Sequence, residues 1–431
     1  MSHPYLKRLL FGGLLALFIL PALQAKLAMV TVEPLDGFYD KQSHPDLTWT
    51  TLRTNNYQPQ LEAYLQDRLG FRNWLIRLRN QLAYSFFHQT KVSTVVVGRD
   101  DVLYQPITID VYLGKDYASD EELDYKVRRL KLVQDSLQAH GTQLLLVIAP
   151  SKARVMPKMI PPRYDNIPRG VSNYDGIMQA ARKRGLNVLD AAALLVQWQD
   201  TARYPMFPRG GTHWSGYATA LVADTMFRRV EALTHLDLPD FALQGLTVAT
   251  EADSLRFTDD DLQLILNRMW EMPPYPMAYP RVVFGPETGK QRADALIIGD
   301  SFAQSFYNFY PFYQQLLGPR ARYWASNEKI FWPEQTPETH TVSELNLGEQ
   351  LAGRDIVMII CTEQNLGQLG FGFINQAYRL FRPLTDADKA AIDALAAKMT
   401  KEASWDEASQ DGELAKHMHE KATNIYDHTH L

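Results

Sequence analysis

The sequence predicts an α/β protein built on a mainly parallel sheet with helices on its faces. From residue 123 onward, short and wholly apolar runs alternate with amphipathic helical stretches. Two of those runs end directly in polar clusters, the pattern of buried strands that feed loops at one edge of a sheet. Size agrees: 431 residues with 46% hydrophobic and 22% charged content suffice for one large α/β domain with additions, or for two domains.

At the amino terminus, Lys7 and Arg8 precede an uncharged run from Leu9 to Ala25. A charge followed by an apolar stretch is the order of an export signal or signal anchor, so residues 1–30 are expected to take the chain out of the cytoplasm. Apolar character resumes through Lys26 to Val32. Because a span needs roughly 20 residues, an uncleaved anchor is favoured over a signal cut after Leu23-Gln24-Ala25.

Residues 31–120 form a lead-in and helical region. The stretch from Thr31 to Thr54 contains proline and lacks periodicity, as a tether does. From Gln58 to Phe87, Leu61, Leu65, Leu69, Trp74, Leu75, Leu78, Leu82 and Phe86 recur at helical spacing, with Gly70 marking a break between two helices. Val95-Val96-Val97-Gly98 reads as a strand.

Residues 121–382 carry the alternation. Leu123 to His140 is an amphipathic helix, Leu144 to Ala149 a strand ending at Pro150, Asn173 to Arg184 a helix and Leu186 to Leu189 a strand. Tyr217 to Val230 is helical. Ala295 to Ile298 is a strand running into Gly299-Asp300-Ser301, and Ile356 to Cys361 one running into Thr362-Glu363-Gln364-Asn365. Residues 383–431, rich in Ala, Lys, Asp, Glu and His, are expected to form a helical tail of one or two exposed helices. His417, His419, His428 and His430 lack fixed carboxylate partners, so a polar helix is preferred to a metal site.

Composition removes some functions. The net charge is −5 and no basic stripe is present, which disfavours a nucleic-acid partner. Cys361 is the single cysteine, so neither an intramolecular disulfide nor a cysteine metal cluster can form, and its apolar run implies a buried thiol. The 21 Tyr and 8 Trp suit sugar-stacking surfaces as well as core packing.

Two clusters carry chemistry. Ser301 follows a buried strand, where its hydroxyl can be presented at the sheet's edge and the next backbone N–H groups can stabilise an oxyanion. His213, in Gly210-Gly211-Thr212-His213-Trp214-Ser215, can serve as the general base that takes the serine proton. Each has a plainer reading, as a turn serine and a capped loop histidine.

Taken together, residues 55–382 resemble the alginate O-acetyltransferase family of SGNH-hydrolase-like proteins, the AlgX and AlgJ type. The matching stretches are Tyr64 to Arg72, Val96 to Asp100, Ile148 to Lys152, Gly211 to Ser215, Met277 to Pro280, Gly299 to Phe302 and Thr362 to Asn365, seven in the expected order. The likeness is nearest to the Bacteroidetes-type subset that lacks a carbohydrate-binding domain. The resemblance implies a three-layer α/β/α domain and a serine acyl-enzyme at Ser301, with His213 as base and then acid. It also implies a polysaccharide hydroxyl as acceptor and a membrane-bound O-acyltransferase as source of acetyl. The location implied is the periplasm or cell envelope, anchored to the inner membrane, with no cofactor or metal.

One position departs from that family. Its Asp-x-His-Trp motif supplies an acid for the histidine, whereas this chain has Gly211 there. Without an acid a triad loses tautomer control. Glu363, leaving a strand end, is the first replacement and Asp261 the second; Glu363 reads equally as a structural carboxylate paired with Arg322 or another cation. Lys152 is placed to bind an acidic sugar or to cap a carbonyl, Asn365 to donate to the oxyanion or close a turn, and Tyr323-Trp324 to stack on a sugar or pack at a sheet edge. A deacetylase using the same serine and histidine, and a non-catalytic polysaccharide-binding protein, are the rival functions.

Overall fold

The computed structural model describes residues 4–37, 40–333, 341–402 and 411–430. The chain folds as two compact units, each assembled from separate stretches: Met1–Pro106, Arg209–Thr212 and Thr250–Pro274 in the first, and Ile107–Pro208, His213–Ala249 and Tyr275–Leu431 in the second.

The first unit begins with α1 (Pro4–Leu27). At 24 residues and about 1.5 Å per residue, α1 exceeds the roughly 30 Å hydrocarbon core of a bilayer, and by length and composition it can cross a membrane. Three helices follow, α2 (Trp49–Arg53), α3 (Tyr57–Asp67) and α4 (Arg72–Phe87). The break foreseen at Gly70 separates α3 from α4. A Cβ at Gly70 would collide with the Pro21 carbonyl oxygen and lie 2.7 Å from the Ala25 nitrogen, so this corner is pressed against the end of α1. A two-stranded antiparallel ribbon, β1 (Val96–Val97) and β2 (Leu103–Tyr104), completes the early part. Tyr84, Val95 and Leu103 pack with Leu262, Leu266 and Met272 as the core. The Asn80 side chain donates to the Leu266 carbonyl at 2.8 Å.

The second unit is built on β3 (Gln143–Ala149), β4 (Val188–Asp190), β7 (Ala295–Gly299), β8 (Arg322–Ala325), β9 (Lys329–Trp332) and β10 (Ile356–Thr362); β5 (Phe241–Ala249) and β6 (Met277–Phe284) form a separate antiparallel ribbon. The sheet order is β4-β3-β10-β7-β8-β9. All neighbours are parallel except β8 and β9, which bears out the mainly parallel sheet.

Side chains alternate across a strand with period two, and here both sets are buried. Leu144, Leu146 and Ile148 join Val357, Ile359 and Cys361 on one face, against α5 (Asp120–Ala139), α6 (Asn173–Arg184) and α8 (Phe373–Phe381) through Leu130, Ile177 and Phe373. The intervening Leu145, Val147, Met358 and Ile360 are equally inaccessible, and α7 (Gly216–Thr234) and the helix Ala191–Trp198 contact β3. Helices therefore cover both faces, giving three layers. Parallel strands buried on both faces read as continuous apolar runs, which is why they were visible in the sequence.

Three details differ from the sequence reading, the first being that α2, capped by Thr48, lies within the stretch read as a tether. Leu186 does not open β4. Gly185 takes the left-handed conformation (φ 64°) that ends α6, and the Leu186 N–H returns to the Ala181 carbonyl at 3.1 Å, so the strand starts only at Val188. In the tail, α9 (Asp386–Glu402) and α10 (Asp411–His430) pack on each other through Ile392, Ala396 and Ala422. The tail is also docked rather than merely exposed, because Asp427 is buried and paired with Arg129 at 3.0 Å and with Arg379. Residues 403–410 and 431 of that tail lie outside the described residues. Against the sequence reading, His419 has a carboxylate partner in Asp393 at 3.2 Å, while His428 stacks on Tyr125 and His430 on Tyr426. Among the described residues no group of three or more His, Cys, Asp or Glu could hold a metal ion.

Candidate active site

Because β10 lies between β3 and β7, three sequence clusters meet at one edge of the sheet. Thr362 is in register with Ala149, and Ile360 with Gly299, so the chain leaves β3 at Pro150-Ser151, β7 at Asp300-Ser301 and β10 at Glu363 side by side. Carboxyl edges of parallel sheets are where sites form.

The turn after β7 is held from several sides. A Cβ on Gly299 would lie 2.7 Å from the Ile360 carbonyl oxygen, so only glycine lets β7 end so close to β10. Asp300 caps the short 3-10 helix Ser301–Gln304, its Oδ1 accepting from the Phe302 N–H at 3.1 Å. Its other oxygen accepts from the Thr362 N–H (2.8 Å), the Thr362 hydroxyl (2.6 Å) and the Asn365 amide (2.8 Å). The Tyr323 hydroxyl donates to the Asp300 carbonyl at 2.8 Å. Ser301 itself is exposed.

The histidine loop is equally constrained. Ser215 caps α7 by accepting from the Ala218 N–H at 3.1 Å, and its hydroxyl donates to the Pro205 carbonyl at 2.8 Å. Trp214 is fully buried, edge-on to Phe302 and Phe306. A Cβ on Gly216 would lie 2.8 Å from the Tyr279 ring, so β6 packs against the start of α7. His213 rests against the Phe302 ring, with centroids 4.7 Å apart. Its Nε2 lies 2.7 Å from the Ser301 hydroxyl oxygen. With the ring proton on Nδ1, Nε2 accepts from Ser301, the arrangement of a base and its nucleophile.

This distance joins residues separated by 88 positions. The sequence profile of the family described as "SGNH hydrolase-like domain, acetyltransferase AlgX" matches residues 95–328, more than half of the chain. The chain belongs to the ALGX family. The matched stretch contains both His213 and Ser301 and ends before β10. A Pseudomonas aeruginosa protein described as "Probable alginate O-acetylase AlgJ" is 29% identical over 172 residues, 40% of this chain and 40% of that protein. Its Pseudomonas putida counterpart is 28% identical over 165 residues, 38% of this chain and 39% of the relative. The match thus spans about two fifths of these relatives. Among solved structures, the O-acetyltransferase domain of Pseudomonas putida AlgJ is 20% identical with a TM-score of 0.42, covering 66% of this chain and 99% of that one. Pseudomonas aeruginosa AlgX is 14% identical with a TM-score of 0.44, covering 67% and 66%.

For this ALGX-family chain, several expected site residues have other duties. Glu363, the first choice to replace the acid missing at Gly211, does not reach His213: its Oε1 accepts from Arg154 Nε at 2.6 Å and from the Ser151 N–H at 3.1 Å, and its Oε2 has no hydrogen-bond partner. The pairing is with a cation, but Arg154 rather than Arg322. Burial pushes the Glu363 carboxyl above the ordinary range while Arg154 pulls it back, and the Arg154 guanidinium also lies 3.9 Å over the Tyr174 ring. Tyr323 and Trp324 are 0% and 1% exposed, so they are core and turn support instead of a sugar platform. Lys152 is 1% exposed in the short helix Lys152–Val155, which withdraws its ammonium from a passing polymer. Asn365 directs its amide group to Asp300 and Thr362, not toward an oxyanion. The Phe302 and Ala303 N–H groups are likewise taken up by Asp300. Asp261 belongs to the first unit, where its Oδ1 accepts from the Thr212 N–H at 2.8 Å, one peptide bond before His213.

Sequence reasoning passed over Asp300 and Arg154. Asp300 had a visible signal, an acid at the cap position of a helix start. Arg154 had none, since its partner lies 209 positions away.

Proposed function

We propose that this protein is an O-acetyltransferase that carries acetyl on Ser301 and delivers it to hydroxyls of an extracellular polysaccharide. The 2.7 Å approach of His213 Nε2 to the Ser301 hydroxyl carries this reading. Ser301 Oγ attacks the acetyl carbonyl of a donor as His213 takes its proton; the donor's leaving group departs with that proton. A sugar hydroxyl, deprotonated by His213, then attacks the acetyl-serine ester and restores Ser301. The exposure of Ser301 supports access by a large acceptor. In this scheme a membrane-bound O-acyltransferase supplies the acetyl group, and α1 remains as an inner-membrane anchor that keeps the enzyme in the periplasm near that donor. Asp261 acts as a positioning residue, holding the Thr212 amide next to the base.

The test supplies an activated acetyl ester without acceptor and looks for acetyl on Ser301 by peptide mass spectrometry. The wild-type chain should acquire it and Ser301→Ala should not. His213→Ala should slow acylation by roughly 10²–10⁴-fold, the usual contribution of a general base. Transfer to a polysaccharide faster than to water separates this activity from deacetylation. Failure of the wild-type chain to acquire acetyl, from the ester or from membranes of the producing cell, sinks the enzymatic reading in favour of a binding protein.

A further inference from the structure

Helix α4 is apolar on the wrong side for a globular helix. Its packed face is formed by Asn80, Gln81, Ala83 and Tyr84. At 100° per residue, Leu75, Leu78, Leu82 and Phe86 fall within an arc of about 80° on the opposite side. These four are 48%, 43%, 46% and 72% exposed. Isolated exposed apolar residues need no explanation, but an aligned stripe on a helix already packed through its other face marks an interaction surface.

The neighbourhood of α4 identifies what the stripe meets. The residue before α4's first turn, at the Gly70 corner, is in van der Waals contact with the Pro21 to Ala25 end of α1, the end at which an anchored chain emerges from the bilayer. Helix α4 therefore starts beside the membrane's outer boundary. Arg72 and Arg79 flank the stripe, Arg77 turns away to the Glu33 and Pro34 carbonyls, and the helix has no acidic residue, a charge bias suited to anionic headgroups. An apolar stripe with cationic neighbours is the composition of a helix lying in a membrane interface.

We propose that α4 lies on the outer surface of the bilayer that holds α1, with Leu75, Leu78, Leu82 and Phe86 immersed at the boundary of headgroups and acyl chains. Lipid is the occupant of this face. The proposal rests on the reading of α1 as a retained anchor. It adds a second attachment, so that the first unit is held along a helix as well as at a point.

Cys361, the only cysteine, is buried and does not compete for labels. Single cysteines introduced by Leu14→Cys, Leu78→Cys or Leu82→Cys in the full-length chain accept a polarity-sensitive fluorophore, and the labelled chain is placed in phosphatidylglycerol-containing nanodiscs with no other protein. Nitroxide-bearing lipids should quench the labels at all three positions, those at 78 and 82 most strongly when the nitroxide is near the headgroup. Quenching at 14 without quenching at 78 and 82 overturns the proposal and leaves the anchor intact. Absence of quenching at all three overturns the anchor reading itself. Labels at 78 and 82 that are protected from aqueous quencher yet unreached by lipid nitroxide, or protected only when several copies share a disc, assign the face to protein and also overturn it.

Discussion

At the residue scale, Asp300 matters as much as the pair it supports. One buried carboxylate receives donors from Phe302, Thr362 and Asn365, binding the nucleophile turn to the end of the neighbouring strand. Hydrogen bonds to a charged group contribute about 1.5–3 kcal/mol each. Asp300→Ala should therefore lower both stability and the Ser301 acylation rate. Thermal unfolding and the acylation rate of the folded fraction check the two parts, and an unchanged rate in a destabilised variant would mean that Asp300 serves the fold alone. Glu363 should behave differently. Its removal strands Arg154 in the interior, and breaking a buried pair from one side costs about 3–5 kcal/mol. Glu363→Ala should lose that much in denaturant unfolding with a normal acylation rate for the folded fraction; a stable but slow variant would restore it to the catalytic machinery.

At the element scale, the sheet and the tail are held by different physics. Apolar strands β3, β7 and β10 bury both faces and need no titratable group. The α9–α10 pair relies on Asp388, which accepts from the Tyr426 hydroxyl at 2.6 Å and from the Thr385 hydroxyl and N–H, both at 2.8 Å. The Tyr426 bond, then those from Thr385, hold its carboxyl down at about 2, below the ordinary 3.8. A folded-state value below the unfolded one makes its stabilisation complete above the unfolded value and removes it as pH falls toward the folded one. Hydrogen exchange in residues 386–402 and 411–430 should accordingly quicken as pH drops below about 4, after correction for intrinsic rates. Asp388→Asn should show the quicker exchange already at neutral pH and lose most of that dependence. For the sheet edge, Tyr323→Phe removes the donor to the Asp300 carbonyl and should cost about 1 kcal/mol. A sugar-stacking tyrosine would instead keep its ring and its acceptor affinity in that variant, so unfolding measurements separate the two roles.

At the scale of the whole molecule, compartment follows from the amino terminus. With Lys7 and Arg8 ahead of an apolar helix, the chain beyond residue 31 should lie outside the cytoplasm. Protease added to intact spheroplasts should digest it, and complete protection would contradict the placement. The sequence by itself determined strands β3, β7 and β10, helices α3 to α7 and the break at Gly70, because hydrophobic period and glycine act locally. It also singled out Ser301 and His213, the serine through its place at a strand end and the histidine through family likeness. Tertiary structure alone decided which residues work beside them. Strands β3 and β10, distant in the chain, pair in parallel and bring Ser151 and Arg154 onto Glu363, converting an expected catalytic acid into an internal ion pair. Burial likewise made Tyr323, Trp324 and Lys152, expected to meet a sugar, interior residues, while half-buried Asn365, expected at the oxyanion, bonds Asp300. A strand covered on both faces shows no alternation of polar and apolar residues, so its sequence reveals burial but not the neighbours that burial selects.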